Sequence, residues 1–430
     1  MNYQISDNLI ISYGADAFSY FFLILVTFMW TMSGIFSTKY KEHMDHNPRF
    51  YLFFFTTYAA LISLAFSANY LTMYMSFEFV TIFSMPLVLH MGTRDAIYAA
   101  KKYLLYSIFG AMMGLVGFFF MTAFGDTSFA AGGNLDAALA AGHEGTLLTA
   151  ALISIMGFGV KSGMFPLHGW LPTAHPVAPA PAHTLLSSIV TKAGVLCIIR
   201  VMFYQFGADF LRGTWVQTVL ICLSLTTVLL GSVLALKQDL TKKRLAYSSV
   251  SQVSYVLFGL FVMNRVSVTG ALLHILYHAI IKGTLFLCIG SIIFMTDLTR
   301  VSELRGIGKK MPKVMTCYTV ASLGLVGIPP FAGFMSKWYL AIGSLESGSG
   351  FLSWAGPVSL IVSALFTALY LFPLSINGFL PRREFEDVET LKEPWQVWLP
   401  VTILAAAIVL TGLFADPLIA LFSNIAEVMI

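Results

Sequence analysis

The sequence predicts an all-α polytopic membrane protein of about twelve transmembrane helices, built on two inverted five-helix repeats that each carry a broken fourth helix. Three observations predict it. Hydrophobic residues fill 57% of the 430 positions and charged residues only 11%, with a mean hydropathy of +0.80; soluble domains run at about 45–50% apolar and about 25% charged. Apolar runs of the ~20 residues needed to cross a hydrocarbon core recur along the chain. Lys and Arg cluster in alternate connectors between those runs.

Residues 1–16 (MNYQISDNLIISYGAD) have neither the basic start nor the Ala-x-Ala site of a cleavable signal peptide. Spans are expected at 17–38, 50–66, 69–90, 103–124, 147–169, 177–203, 215–236, 247–263, 268–296, 314–343, 352–376 and 397–424. With the N-terminus placed outside, the inner connectors hold 18 of the 25 Lys and Arg, and the outer ones hold only Arg212 and Arg265. That split obeys the positive-inside rule and leaves both termini outside a cell inner (cytoplasmic) membrane. Connector 125–146 is Gly/Ala-rich and free of Lys and Arg, a surface loop with a short helix and a solvated His143. PRREFEDVETLKEPW (381–395) mixes both signs and reads as an interfacial or subunit-facing segment. Trp residues fall mostly near span ends, as an aromatic belt would.

Cys197, Cys222, Cys288 and Cys317 stand singly in apolar runs, as small core residues rather than disulfides or metal ligands. No spacing for a nucleotide, flavin, haem or iron–sulfur cluster interrupts the chain, so no cofactor and no metal is expected. A net charge of +4 in such a chain marks topology and not a nucleic-acid partner.

Four lysines break the connector pattern. Lys161, Lys192, Lys282 and Lys337 lie inside apolar spans, and Glu78 joins them. Each ammonium at lipid depth costs about 2.5–3.5 kcal/mol on insertion scales, and intramembrane ionisable groups mark ion paths. Glu78 stands mid-span with no other charge within eight residues on either side; the competing reading is a structural carboxylate paired to a neighbouring helix. Gly157, Gly159, Gly163 and Pro166 flank Lys161, so its helix should break there, and backbone freed at that depth survives only beside protein or a cavity. A Glu78–Lys161 pair would give a lysine whose protonation answers to the distance between them. A purely structural buried salt bridge is the alternative.

Lys192 follows the last proline of the preceding loop, Pro181, by 11 residues, about 16 Å at 1.5 Å per residue, too deep for easy snorkelling. His274, His278 and Lys282 recur at i, i+4, i+8, which stacks them on one helix face able to relay protons; a metal reading lacks a third ligand. Gly327, Pro329, Pro330 and Gly333 predict a second break beside Lys337. Two broken segments, each with one lysine, in corresponding positions of two halves point to an inverted-repeat transporter core. The repeats are placed at 50–203 and 215–376, with 17–38 and 397–424 flanking them. His168 and His175, near the inner end of the first break, are candidates to line an ion inlet; His90 and His183 read as interface or packing residues, and His43 and His46 as solvated.

At MSFEFVTIFSMPL, VKSGMFPLHGWLPTAHPVAPAPA, DLTKKRLAYSSVSQVSYV, HILYHAIIKGTLFLCIGS and GIPPFAGFMSKWYL the chain resembles the antiporter-like subunits shared by respiratory complex I (NADH-quinone oxidoreductase), Mrp-type sodium/proton antiporters and membrane-bound hydrogenases. The resemblance implies a non-redox subunit that translocates H⁺ or Na⁺ within a multi-subunit complex in the lipid bilayer, driven by a redox module or by antiporter partners. It implies that Glu78 and Lys161 form a switching pair. Lys192 or Lys282, with His274 and His278, would carry protons along the midplane, and Lys337 would connect to the outer face. Family members usually have fourteen helices, and GADAFSYFF resembles the start of the third, so two family helices are not matched; the long lateral helix of one complex I subunit has no counterpart either. A membrane component of an inorganic-carbon uptake system and a structural scaffold without transport of its own are the alternatives.

Overall fold

The computed structural model describes residues 2–6, 9–380 and 389–430, so most of the mixed-charge connector 381–395 lies outside the described residues. The chain opens with an antiparallel hairpin of β1 (Asn2–Ser6) and β2 (Leu9–Ser12), which the hydropathy pattern did not announce. Helices follow: α1 (Ala17–Tyr40), α2 (Asn47–Ala65), α3 (Tyr70–Leu89), α4 (Arg94–Phe124), α5 (Glu144–Ser162) and α6 (Leu171–Val177). Next come α7 (Ala180–Phe206), α8 (Trp215–Leu236), α9 (Thr241–Val262), α10 (Arg265–Thr296), α11 (Pro312–Val326) and α12 (Gly333–Leu345). The chain ends with α13 (Phe351–Phe379), α14 (Trp395–Leu413) and α15 (Asp416–Met429). Several starts are set by side chains that accept otherwise orphaned amides: Asp16 from Ser19, Asn69 from Thr72, Thr93 from Ala96 and Asn264 from Ser267.

Among the described residues, 11 helices are long and apolar enough to cross a membrane. The twelfth crossing is the broken pair α11–α12, whose halves of 15 and 13 residues fall short singly. Two expected boundaries change. The span 147–169 ends at Ser162, where Gly163 takes a left-handed φ of 75°. The segment 170–176, expected as a connector, is instead α6, with Trp170, Leu171 and His175 fully buried. It is the second half of the first broken helix, folded inward because its apolar side chains have a core to fill. The last expected span, 397–424, is two helices that part near Phe414; α14 passes Tyr277 at Thr411, and α15 continues toward the start of α10, where Phe422 packs on Phe21 and Glu427 pairs with Arg265.

The middle of the bundle is α7, α9 and α10, whose apolar windows are 100%, 94% and 83% buried, against 39% for α2, α4 and α13. Helices hydrophobic all round belong in the interior, so these three carry their polar residues away from lipid. Close approach needs glycine at two places. Gly110 and Gly157 let the backbones of α4 and α5 touch, and at the second break a Cβ on Gly333 would strike the Gly324 carbonyl.

Candidate functional site

The polar residues expected from the sequence sit on helices that the two breaks bring together. Lys161 ends α5, fully buried, and its Nζ donates to Thr81 Oγ1 (2.9 Å), the Tyr103 hydroxyl (2.5 Å) and, at 3.5 Å, Ser107 Oγ. The Tyr103 hydroxyl also meets Ser84 Oγ at 2.6 Å. The ammonium lies 4.4 Å from the Tyr103 ring centre and 5.7 Å from that of Phe77, a cation–π setting that offsets part of its lost hydration.

Glu78 occupies α3 one turn before Thr81 and is half-buried. It lies in the field of Lys161 and interacts with Tyr74. Among the described residues no ion pair joins Glu78 to Lys161. The expected direct pair is replaced by an indirect one: Thr81, on the same face of α3, takes the ammonium, and the carboxylate stays a turn away.

The next cluster joins distant parts of the chain. Lys192 Nζ contacts His278 Nδ1 at 2.6 Å and donates to the Ser187 carbonyl at 2.8 Å. That carbonyl belongs to a π-helical turn, Leu186–Val190, within α7. Such turns leave carbonyls off the regular ladder and recur at functional positions. The rings of His278 and His274 stack with centroids 6.0 Å apart, and His274 Nδ1 meets Ser336 Oγ at 2.9 Å, at the start of α12. Among the described residues, the Nε2 atoms of both histidines are buried without a well-formed hydrogen bond, although the Gln252 backbone lies close to His274.

Lys282 departs from the expected stack. Eight helical residues rotate by more than two whole turns, so its side chain leaves the histidine face and turns to α9, donating to Ser248 Oγ (2.6 Å) and the Leu245 carbonyl (3.2 Å). Lys337, beside the second break, donates to the carbonyls of Leu325 (2.6 Å) and Val326 (2.9 Å), the orphaned end of α11. Its Nζ also lies 5.2 Å from the ring centre of Tyr255, which stacks on His274 at 5.3 Å. Lys161 and Lys337 thus stand at the two breaks, with Lys192, His278 and His274 between them.

The two inlet candidates part company. His168 lies in the turn after Lys161, half-buried in the field of Lys102. His175 is fully buried on α6 and stacks on Phe286 at 5.5 Å; His183 meets the same ring at 4.8 Å, and Lys282 Nζ stands 5.9 Å from it. The ring nitrogens of His175 and His183 approach backbone carbonyls without completing a hydrogen bond. His183, expected as an interface or packing residue, is fully buried and packs edge-on against the ring that His175 stacks on.

The sequence reading did not single out the neutral partners: Thr81, Tyr103, Ser187, Ser248, Tyr255 and Ser336. Uncharged hydroxyls are common in membrane helices, and only their recurrence on one face, as with Ser248 and Tyr255 two turns apart on α9, hints at a role.

Comparison with known proteins gives the family and the fold. Residues 67–363 match the family described as NADH:quinone oxidoreductase/Mrp antiporter, TM. NADH-quinone oxidoreductase subunit N of Desulforudis audaxviator (strain MP104C) is 32% identical over 420 residues, covering 93% of this chain and 81% of the relative. F(420)H(2) dehydrogenase subunit N of Methanosarcina mazei is 27% identical over 432 residues, covering 96% and 84%. A chain in the structure of the Mrp complex from Dietzia sp. DQ12-45-1b superposes with a TM-score of 0.87 at 20% identity, covering 100% of this chain and 87% of that one.

Proposed function

The chain belongs to the NADH:quinone oxidoreductase/Mrp antiporter membrane family, and on that premise we propose that it is a proton- or sodium-translocating, antiporter-like subunit of a multi-subunit energy-converting complex. It works beside other membrane subunits of a complex I-like oxidoreductase, a membrane-bound hydrogenase or an Mrp-type antiporter, with no redox centre of its own. The observation that carries this reading is the buried run of Lys192, His278 and His274, with one buried lysine, Lys161 or Lys337, at each of two broken helices. Charged groups at lipid depth are retained where ions pass.

In this reading Glu78 and Lys161 are the switch. Movement of Glu78 away from Lys161 removes the field that favours the charged amine, and its proton passes through water toward Lys192. Lys192 hands it to His278, whose two ring nitrogens let it accept at one edge and donate at the other. His274 and Lys337 complete the line toward the face that carries the termini, with Lys282 as a branch and His168 and His175 as inlets. Coulomb energy between charges one helix apart is sufficient for such coupling at the low effective dielectric of an interior. The repeats, 50–203 and 215–376, each supply one break. The 18 basic residues on one set of connectors, against two on the other, support placing both termini outside the cytoplasmic membrane.

The test is Lys161→Ala in the complex that contains this chain, reconstituted in vesicles and energised, with ion uptake followed by a pH-sensitive dye and a sodium indicator. Uptake should collapse; unchanged coupled pumping would end this reading.

A further inference from the structure

Beside the histidine line runs a second set of contacts made mainly of hydroxyls, in the seam between α9 and α13 with α8 behind. Lys282 Nζ donates to Ser248 Oγ at 2.6 Å, and Ser248 Oγ meets the Tyr370 hydroxyl at 2.6 Å. The Tyr370 hydroxyl donates to Thr367 Oγ1 at 3.2 Å. One turn further along α13, Ser363 Oγ meets Ser232 Oγ at 2.6 Å and Ser251 Oγ at 3.3 Å, and the last two meet at 2.9 Å. The Tyr255 hydroxyl adjoins Ser363 and Gln252 and donates to the Leu360 carbonyl at 3.0 Å. Its ring lies under Lys337.

These six Ser, Thr and Tyr side chains are essentially fully buried, as is Tyr255. Their positions follow from antiparallel packing: residues 248, 251 and 255 ascend one face of α9 while 370, 367 and 363 ascend the facing stripe of α13. The set begins at Lys282 and ends beside Tyr255 and Lys337. The amide of Gln252, wholly buried and with neither of its polar atoms in a well-formed hydrogen bond, opens on the same place.

We propose that this hydroxyl ladder is a second proton line between Lys282 and the Lys337 region, parallel to His278–His274; it rests on the translocating function proposed above. Each hydroxyl accepts a proton on a lone pair and releases its own to the next, so one proton enters at Ser248 and one leaves beside Tyr255 with no net change in the ladder. The hydroxyls then rotate back. The ladder has two open steps: Thr367 Oγ1 donates to the Ser363 carbonyl at 2.8 Å instead of to its hydroxyl, and at the exit the Tyr255 hydroxyl donates to the Leu360 carbonyl. A rotation of Thr367 or a single water closes the first, and this is the natural gate. Hydroxyls in direct contact pass protons and leave no room for sodium. The competing reading is that they only glue three helices together.

The experiment uses the intact complex in energised vesicles and compares wild type, H278A, H278A with Y370F, H278A with T367V, and H278A with T367S. H278A should retain a measurable fraction of proton uptake, carried by the ladder. Y370F and T367V should each lower that remainder at least about tenfold, while T367S, which keeps the hydroxyl, should preserve it. Sodium flux, where present, should not change with Y370F. Both aromatic rings have the same shape, and recovery of the assembled complex checks that folding is equal. No residual uptake in H278A, or a remainder indifferent to Y370F and T367V, overturns the ladder. Equal losses in T367V and T367S overturn it too. Absence of both proton and sodium uptake by the wild type refutes instead the translocating function on which the ladder stands, and sodium uptake without proton uptake overturns the ladder alone.

Discussion

Lys192 and His278 meet at 2.6 Å although 86 residues separate them in the chain. The contact is the junction where the lysine of a fully buried helix reaches the first of two stacked histidines. It turns two separate polar clusters into one line. It is also the contact on which the proposed traffic most depends, because among the described residues no other side chain hydrogen-bonds the Lys192 amine.

Removing either partner should therefore be costly. His278→Phe leaves a buried ammonium with only the Ser187 carbonyl, and a group so stranded costs about 1–3 kcal/mol or more. The apparent melting temperature of the purified complex should fall for H278F and recover in part for K192M with H278F. A double-mutant cycle with no coupling between the two positions would disprove the contact.

Glu78→Gln and Tyr103→Phe should separate charge from scaffold. Lys161 hangs on hydroxyls and not on the carboxylate, so E78Q should keep thermal stability while lowering ion uptake by about tenfold, the effect of ~1.4 kcal/mol on a barrier. Y103F should lower both. Stability lost equally in both variants would mean that Glu78 carries structure after all.

Lys337→Met should loosen the second break. The amine satisfies two carbonyls at the end of α11, and leaving such acceptors bare costs about 1–3 kcal/mol. Lys337→Arg supplies donors at the same place, so it should restore stability without restoring transport. Thermal unfolding and vesicle uptake, measured on the same preparations, read the two effects separately.

Acid should release the tether between α1 and α7. Asp16, just before α1, pairs with the buried Arg200 at 2.6 Å. Burial works to raise the Asp16 carboxyl, but the hydrogen bond and charge of Arg200, together with Ser19, outweigh it and hold the carboxyl below its ordinary 3.8. A carboxyl depressed on folding stabilises above its unfolded value and loses that contribution as pH falls through its folded value. Melting temperature should be insensitive to this group from neutral pH down to about 5 and decline below about 4. Asp16→Asn should be less stable at neutral pH and lack that acidic component; an identical acid profile in D16N would show that other groups govern it.

The hydropathy of the chain, the alternation of its basic connectors and the Gly/Pro content at 157–166 and 327–333 were sufficient to read twelve crossings and two breaks, because lipid admits helices and little else. The same solvent argument made Glu78 and the four lysines conspicuous without any structure. What the linear order could not convey was pairing. Lys161 reaches Thr81 and Tyr103, not Glu78; Lys282 leaves the histidine face for Ser248; and His175, expected at an inlet, is buried against Phe286. The partners in these contacts are mostly neutral hydroxyls and carbonyls, which cost little to hide in a helix and so leave no trace in composition. Which of them face one another depends on crossing angles and helix rotation, set by contacts such as Gly110 on Gly157. Membrane solvation decides from sequence where charge is exceptional, and only packing decides what each charge touches.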